Sequence, residues 1–171
     1  MDAKEYYRTG KRSDWEPNTM RLELIKEIRG KNPRLVFEFG CAAGENLNIL
    51  SMAGIGVHGI EINQDEVDEA HKNGLSCVFQ GDECSLRNYQ PNIFDISFTI
   101  GVLDHIPDIQ QVVSELGQIT KRWLYCLETN DVPVDSVHYY PHDYEALGFY
   151  KLHSYTSDGD GATYHLWRKE C

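Results

Sequence analysis

The sequence of 171 residues is short of positive charge, of paired cysteines and of long apolar runs. Lys and Arg total 16 against 27 Asp and Glu, a formal net charge of −11, so most of the surface would repel a nucleic-acid partner. No apolar run is long enough to span a bilayer, and residues 1–7 lack the apolar core of a signal peptide. These absences predict a soluble cytoplasmic protein without a nucleic-acid or membrane partner. Neither a disulfide framework nor a zinc site is indicated by the spacing of Cys41, Cys77, Cys84, Cys126 and Cys171.

Apolar periodicity predicts strands and helices in alternation along most of the chain. A helix is expected over residues 14–29. The predicted strands begin at Leu35 and at 56–61, 76–79, 94–100 and 123–127, with helices after the first turn, over 64–72 and from Asp108 onward. Runs at 150–155 and 163–167 flank a hairpin signal at 157–161. Because parallel strands need crossover connections, this order predicts an α/β fold whose parallel sheet carries an antiparallel hairpin at its edge.

The most informative segment runs from the strand at Leu35 through a turn of small residues into a helix. Gly40, Ala42 and Gly44 occupy alternate positions of that turn, and the next strand ends at Glu61. A tight turn and a helix N-terminus bring backbone N–H groups near a ligand, and an acid at the tip of the next strand can accept both ribose hydroxyls. The pattern indicates a nucleoside-cofactor site. Small residues that only allow close helix packing, and a surface acid at position 61, are the alternatives.

The glycine spacing bears on which nucleoside is bound. A dinucleotide fingerprint needs a third glycine where this chain has Glu45, and a carboxylate there would face two phosphates. A nucleotide-dependent oxidoreductase is therefore disfavoured. The pattern Glu-x-Gly-x-Ala-x-Gly resembles the first motif of class I S-adenosylmethionine-dependent methyltransferases of the small-molecule type, with Ala42 where that family has its middle glycine. Their cofactor carries a sulfonium and an ammonium and no phosphate, which suits an acidic turn.

The resemblance covers the chain from about Arg34 onward and implies a Rossmann-like, doubly wound, mostly parallel seven-stranded sheet with a C-terminal antiparallel hairpin. It implies one methyltransferase domain over 1–171, made of an N-terminal lid segment and helix at 1–33 and a core at 34–171. The cofactor it implies is S-adenosylmethionine. The residues expected to bind this cofactor are Glu38, Gly40, Ala42, Gly44, Glu61, Ile62, Asp82, Glu83, Ile100, Gly101 and Leu103.

Within that set the resemblance implies distinct roles for the acids. Glu38 would lie near the amino group of the methionine moiety, or else pair with a basic neighbour as an ordinary strand residue. Asp82 would accept a hydrogen bond from the adenine amino group, with Glu83 beside it. A turn or helix-capping aspartate is the alternative for Asp82. The segment from Ile100 to Leu103 would flank the cofactor at the carboxyl edge of the sheet.

His105 and Asp104 are the candidate catalytic residues. A histidine can take a substrate hydroxyl proton at neutral pH, so His105 is a candidate general base. Asp104 satisfies the same criterion less well. The alternative for His105 is a packing residue that orients its loop.

Two further segments carry candidate substrate contacts. Residues 137–144 are rich in aromatic and titratable groups and form either a substrate wall or a packed loop. Asp131, Asp135, His138, His142 and Asp143 could suggest a metal site, but none is expected, because Pro141 disrupts the helix that would place His138 and His142 on one face. Near the N-terminus, Arg8, Lys11 and Arg12 belong either to a lid that meets an anionic substrate group or to a solvated terminus.

The sequence predicts S-adenosylmethionine-dependent methyl transfer to an oxygen or nitrogen of a small molecule. A non-catalytic S-adenosylmethionine-binding or partner-binding module of the same fold is the alternative. The sequence leaves the acceptor and the oligomeric state open.

Overall fold

A computed structural model describes residues 19–129, 139–156 and 163–171, and in them one mixed sheet is flanked by helices. The helices are α1 Thr19–Gly30, α2 Glu45–Met52, α3 Gln64–Lys72 and α4 Gln110–Ile119, with 3-10 helices at Glu83–Asn88 and Leu103–His105. The strands are β1 Leu35–Phe39, β2 Gly56–Glu61, β3 Val78–Gln80, β4 Phe94–Ile100, β5 Thr120–Thr129, β6 Tyr150–Thr156 and β7 Thr163–Glu170.

The seven strands lie in the order β3-β2-β1-β4-β5-β7-β6. β1 to β5 are parallel to one another, and β7 lies between β5 and β6 and is antiparallel to both. This arrangement confirms the predicted fold. β1 and β4 are neighbours, but β1 is followed by β2 on one side of the pair and β4 by β5 on the other. The carboxyl ends of β1 and β4 therefore border the crevice where open α/β sheets bind ligands.

Two apolar clusters cover the two faces of the sheet. One joins α1, α2 and α3 to residues such as Val36 and Phe98. The other joins α4 to Phe37, Tyr144 and Trp167. The apolar stripe predicted for α4 is confirmed, since Ile109, at the N-cap, and the helical residues Val112, Val113, Leu116 and Ile119 are all buried. Side chains of this size each stabilise the fold by roughly 1.5–3 kcal/mol when fully buried.

Several predicted boundaries differ from the structure. β3 begins at Val78 instead of residue 76, and β5 extends beyond 123–127 at both ends. α4 begins at Gln110, whose N–H donates to the Asp108 carboxylate over 3.1 Å, so Asp108 precedes the helix. The sequence did not predict either 3-10 helix. The predicted lid residues, the first part of the predicted N-terminal helix and the hairpin turn at 157–161 lie outside the described residues. None of the described helices is long and apolar enough to cross a membrane.

Candidate functional site

The turn after β1 has a left-handed backbone at each of its three small residues. The φ angles are 71° at Gly40, 46° at Ala42 and 80° at Gly44. A Cβ atom on Gly40 would lie 2.5 Å from Cγ2 of Val102, on the segment after β4. The N–H groups of Gly40 and Cys41 both donate to the Ile60 carbonyl oxygen, at 2.9 and 3.1 Å. The positive φ angles favour glycine at all three positions, and the contact with Val102 leaves no room for a Cβ at Gly40.

Glu61 closes this turn from the end of β2. Its Oε2 accepts the N–H of Ala42 at 2.8 Å, and its Oε1 accepts the N–H of Asn63 at 3.0 Å. The side chain is buried, which excludes the alternative of a surface acid. A carboxylate offers about four acceptor positions, so two backbone donors leave capacity for hydroxyl donors. Ile62 follows at the edge of the same corner and is half-buried.

Glu38 is buried under the turn and belongs to a polar network with α1 and α2. Its Oε1 accepts Nδ2 of Asn46 at 2.6 Å, and Oδ1 of Asn46 accepts Nε–H of Arg21. The Arg21 guanidinium also lies 3.5 Å from the Glu45 carboxylate. Glu38 thus reaches a basic group through an amide. Arg21 and Asn46 were not predicted from the sequence as site residues.

A signal for Arg21 is present in the sequence. Arg21, Leu24, Ile25 and Ile28 are spaced on one face of α1, and the three apolar residues are buried. Arginine on the apolar stripe of a helix is rarely fully buried unless it is paired, so its position in the stripe indicates a buried acidic partner.

The corner after β3 is acidic. Asp82 caps the 3-10 helix Glu83–Asn88: its Oδ1 accepts the N–H of Cys84 at 3.0 Å, and its own N–H donates to Ser85 Oγ at 3.1 Å. The capping alternative therefore describes the geometry of Asp82. The roles of Asp82 and Glu83 in adenine recognition stay predictions.

The segment after β4 forms the opposite wall. Ile100 is buried, and Gly101 has φ 59° with its N–H donated to the Leu127 carbonyl oxygen. Leu103 is fully buried in the cluster that contains α4, so its side chain supports the wall from beneath. Val102 is the residue of this segment whose side chain packs against the β1 turn.

His105 and Asp104 lie at the end of this wall but differ in exposure. The His105 side chain is 15% exposed, whereas Asp104 is fully buried, and Nε2 of His105 lies 3.5 Å from Oδ1 of Asp104. A buried carboxyl group does not meet an acceptor molecule, so the geometry favours His105 over Asp104 as a proton acceptor. The catalytic roles of both residues stay predictions.

Glu128, at the end of β5, is a further residue that the sequence analysis missed. It is fully buried, and its Oε2 accepts the N–H groups of Val102 at 3.0 Å and of Asp104 at 3.5 Å. Burial, and then the neighbouring Asp104, hold the pKa of Glu128 well above its usual value. The predicted strand ended at residue 127, which placed Glu128 outside the core.

The segment 139–149 contains the described part of the predicted segment 137–144, and it packs on this wall. Nε2 of His142 lies 3.0 Å from the Leu103 carbonyl oxygen and 2.9 Å from that of Ile106. Two carbonyl acceptors require that Nε2 carries a proton and donates it. Tyr140 N–H donates to the Asp104 carbonyl oxygen at 2.7 Å. His142 therefore fits the packed-loop alternative. Asp131, Asp135 and His138 lie outside the described residues.

Comparison with known proteins identifies the class to which this site belongs. Residues 37–125, more than half of the chain, match the family model described as a methyltransferase domain. The chain belongs to this family, the class I S-adenosylmethionine-dependent methyltransferases, whose cofactor is S-adenosylmethionine. The acids of the site fit that cofactor, because carboxylates accept hydrogen bonds from its hydroxyl and ammonium groups. The absence of a side chain at Gly40 also keeps the turn narrow.

Ubiquinone biosynthesis O-methyltransferases are among the curated relatives of this chain. That of Bordetella parapertussis is 27% identical over 124 residues, which covers 68% of this chain and 52% of the relative. That of Methylococcus capsulatus is 26% identical over 109 residues, covering 61% of this chain and 46% of the relative. The chain therefore spans about half the length of the curated relatives it matches.

Solved structures share the fold. The magnesium protoporphyrin IX methyltransferase from Synechocystis PCC 6803 with bound SAH aligns with a TM-score of 0.75 at 15% identity, over 98% of this chain and 97% of that one. A SAM-dependent methyltransferase from Archaeoglobus fulgidus aligns with a TM-score of 0.65 at 17% identity, over 88% and 94% of the two chains.

Proposed function

We propose that this protein transfers the methyl group of S-adenosylmethionine to an oxygen or nitrogen of a small molecule, with oxygen favoured by the curated relatives. The observation that carries the proposal is the position of Glu61. Its buried carboxylate is hydrogen-bonded to the turn between β1 and α2, beside the crevice at which β1 and β4 diverge. A carboxylate at that place is suited to two neighbouring ribose hydroxyls.

The remaining site residues would divide the cofactor between them. Glu38, held by Asn46, would attract the ammonium of the methionine moiety. Asp82 and Glu83 would receive the adenine, and Ile62 and Ile100 would flank the rings. The backbone of Gly40, Ala42 and Gly44 would keep the turn close to the ligand, and Gly101 and Leu103 would shape the wall opposite. The local negative charge disfavours a dinucleotide, whose phosphates it would repel.

Catalysis in this proposal depends mainly on positioning. When bound, S-adenosylmethionine supplies an electrophilic methyl group on a good leaving group. The protein holds the acceptor in line with that methyl group and excludes water. His105 is the proposed general base: it takes the acceptor's proton as the new bond to the methyl carbon forms. A small-molecule acceptor, the single domain and a cytoplasmic location remain predictions from the sequence.

Turnover with isotope-labelled S-adenosylmethionine tests the proposal. The purified protein is incubated with a panel of phenols, alcohols and amines, and labelled product and S-adenosylhomocysteine are measured together. We expect both to form in equal amounts with at least one hydroxylated acceptor. If the protein binds S-adenosylmethionine but transfers methyl to none of the panel, the non-catalytic binding module is favoured instead.

A further inference from the structure

Asp104 and Glu128 form a buried carboxyl pair beneath the wall after β4. Both side chains are fully buried, one on the 3-10 helix that follows β4 and the other at the end of the neighbouring strand β5. Oε2 of Glu128 accepts the backbone N–H groups of Val102 and Asp104. Among the described residues, no hydrogen bond of ordinary geometry reaches Oε1 of Glu128 or either carboxyl oxygen of Asp104, and the Thr129 N–H is the backbone donor that approaches Asp104. The pair therefore has more acceptor atoms than donors.

One proton held between the two groups resolves this shortage. Two carboxylates without water would repel each other, and each would also lose its hydration. With one proton, Glu128 donates to Asp104 and the pair keeps a single negative charge. The surroundings assign the proton to Glu128. Burial raises the pKa of both groups, but His105 and the Thr129 N–H lower that of Asp104, whereas the Asp104 charge raises that of Glu128 further.

The pair is enclosed by other titratable groups on several elements. They are His105 on the same 3-10 helix, His142 and Tyr144 on the segment 139–149, Cys126 on β5, and His165, which is opposite Glu128 on β7. Burial raises the pKa of Cys126 and Tyr144, so these two groups stay neutral at physiological pH. His105 connects the buried pair to the crevice, because its Nε2 lies 3.5 Å from Oδ1 of Asp104 and its side chain is partly exposed.

We propose that Glu128 is a positioning residue for methyl transfer: it shares its proton with Asp104 and fixes the backbone of residues 102–104, so that one buried negative charge orients His105. The proposal rests on the function proposed above. It also connects the two sides of the site, since Glu128 holds Val102 by its N–H and the Val102 side chain packs against Gly40 of the cofactor turn. Glu128 itself touches neither the cofactor nor the acceptor.

The kinetic test compares substitutions that keep or remove the neutral partner and the charge. Glu128→Ala removes both hydrogen bonds, and we expect its kcat to fall by about 10- to 100-fold. Glu128→Gln keeps an acceptor for Val102 and a donor for Asp104 without a charge, and we expect it to restore kcat to within about 3-fold of wild type. Asp104→Asn removes the charge of the pair, and we expect its kcat to stay below that of Glu128→Gln. The KM for S-adenosylmethionine should change by less than about 3-fold in Glu128→Gln and Asp104→Asn, because neither residue contacts the cofactor.

Stability against pH is the second readout, and it reports the proton directly. Because the folded protein holds a proton on Glu128 that the unfolded chain releases, the stabilisation is present at low pH. It is lost as pH rises above the usual glutamate value of 4.5. We therefore expect the melting temperature of wild type to fall relative to that of Glu128→Gln between pH 5 and pH 9. Glu69→Gln, at an exposed acid of α3, should follow wild type at every pH.

Two results would overturn the proposal. One is a Glu128→Gln protein that is as inactive as Glu128→Ala, or unfolded at pH 5. Such a result would mean that Glu128 is ionised in the folded protein, because a neutral Gln could then not replace it. The other is a constant difference in melting temperature between wild type and Glu128→Gln at all pH values. If wild type neither binds S-adenosylmethionine nor transfers methyl, the proposed function fails, while the comparison of melting temperatures still tests the carboxyl pair.

Discussion

The Glu61 carboxylate accepts the backbone N–H of Ala42 over 2.8 Å, although the two residues are 19 positions apart. This hydrogen bond fastens the turn after β1 to the end of β2. The second oxygen of Glu61 accepts the N–H of Asn63 and so fixes the start of α3 as well. One buried acid therefore sets the relative position of the turn, the strand and the helix that form the candidate cofactor corner.

Ala42 itself occupies a backbone conformation that favours glycine. Its φ is 46°, and a left-handed conformation costs a residue with a Cβ roughly 1–2 kcal/mol, part of which glycine loses again in entropy on folding. We expect Ala42→Gly to leave the free energy of unfolding unchanged or to raise it by up to about 1 kcal/mol, as measured by chemical denaturation. Ala70→Gly, in the interior of α3, should instead lose about 1 kcal/mol or more. A loss in Ala42→Gly as large as in Ala70→Gly would contradict the strain at Ala42.

The contact between Gly40 and Val102 predicts a cost for a single methyl group. Gly40→Ala places a Cβ 2.5 Å from Val102 Cγ2, in addition to the cost of its positive φ. Gly54→Ala is a matched control, because Gly54 has φ 81° with nothing within 4 Å of its Cβ position. We expect Gly40→Ala to lose about 1–3 kcal/mol more stability than Gly54→Ala. Adding Val102→Ala should return part of this difference in a double-mutant cycle, and equal losses in the two glycine variants would show that no steric contact exists.

Arg21 and Glu38 are expected to be energetically coupled through Asn46. Arg21→Met removes the buried cation of the network, and we expect it to cost about 3–5 kcal/mol of stability, since breaking a buried charge network leaves the remaining charge uncompensated. Glu38→Gln in the same chain should recover part of that loss. Denaturation of the two single variants and the double variant measures the coupling energy. Additive losses would mean that Arg21 stabilises the fold by packing alone.

His105 is expected to act in the chemical step and not in cofactor binding. We expect His105→Gln to lower kcat by about 10²- to 10⁴-fold while the affinity for S-adenosylmethionine, measured by titration calorimetry, stays within about 3-fold of wild type. His153→Gln, at an exposed position of β6, is the control for the substitution itself. Full activity of His105→Gln with the acceptor of the wild type would show that His105 only packs its loop.

The strands and the helices predicted from clear periodicity agree with the structure. β2, α3 and β4 have the predicted bounds, and the apolar stripe of α4 is buried as expected. Alternation of strands and helices was enough to predict a parallel sheet, because parallel neighbours need crossover connections, but the order of its strands was not predicted. The 3-10 helices escaped prediction because such short elements depend on local caps, such as Asp82, and carry no apolar period.

The site residues that were not predicted from the sequence were missed for one physical reason. Arg21, Asn46 and Glu128 are polar and buried, and their burial depends on partners that are distant in sequence. Glu128 is held by Val102 and Asp104, and Asn46 is held by Arg21 and Glu38. Polarity alone assigns such residues to the surface, whereas the folded chain supplies the hydrogen bonds that make their burial possible. The turn residues were predictable because their spacing is local.

Titration calorimetry with S-adenosylmethionine, S-adenosylhomocysteine and NAD tests the central claim most directly. The proteins compared are wild type, Glu61→Ala and the control Glu69→Ala at an exposed acid of α3, each checked for folding by circular dichroism. We expect Glu69→Ala to bind each of the two sulfur ligands as tightly as wild type does, and we expect neither protein to bind NAD. Glu61→Ala should bind at least about tenfold more weakly, which corresponds to about 1.4 kcal/mol. A folded wild type that binds neither sulfur ligand, or a folded Glu61→Ala that binds them as tightly as wild type, would contradict the account.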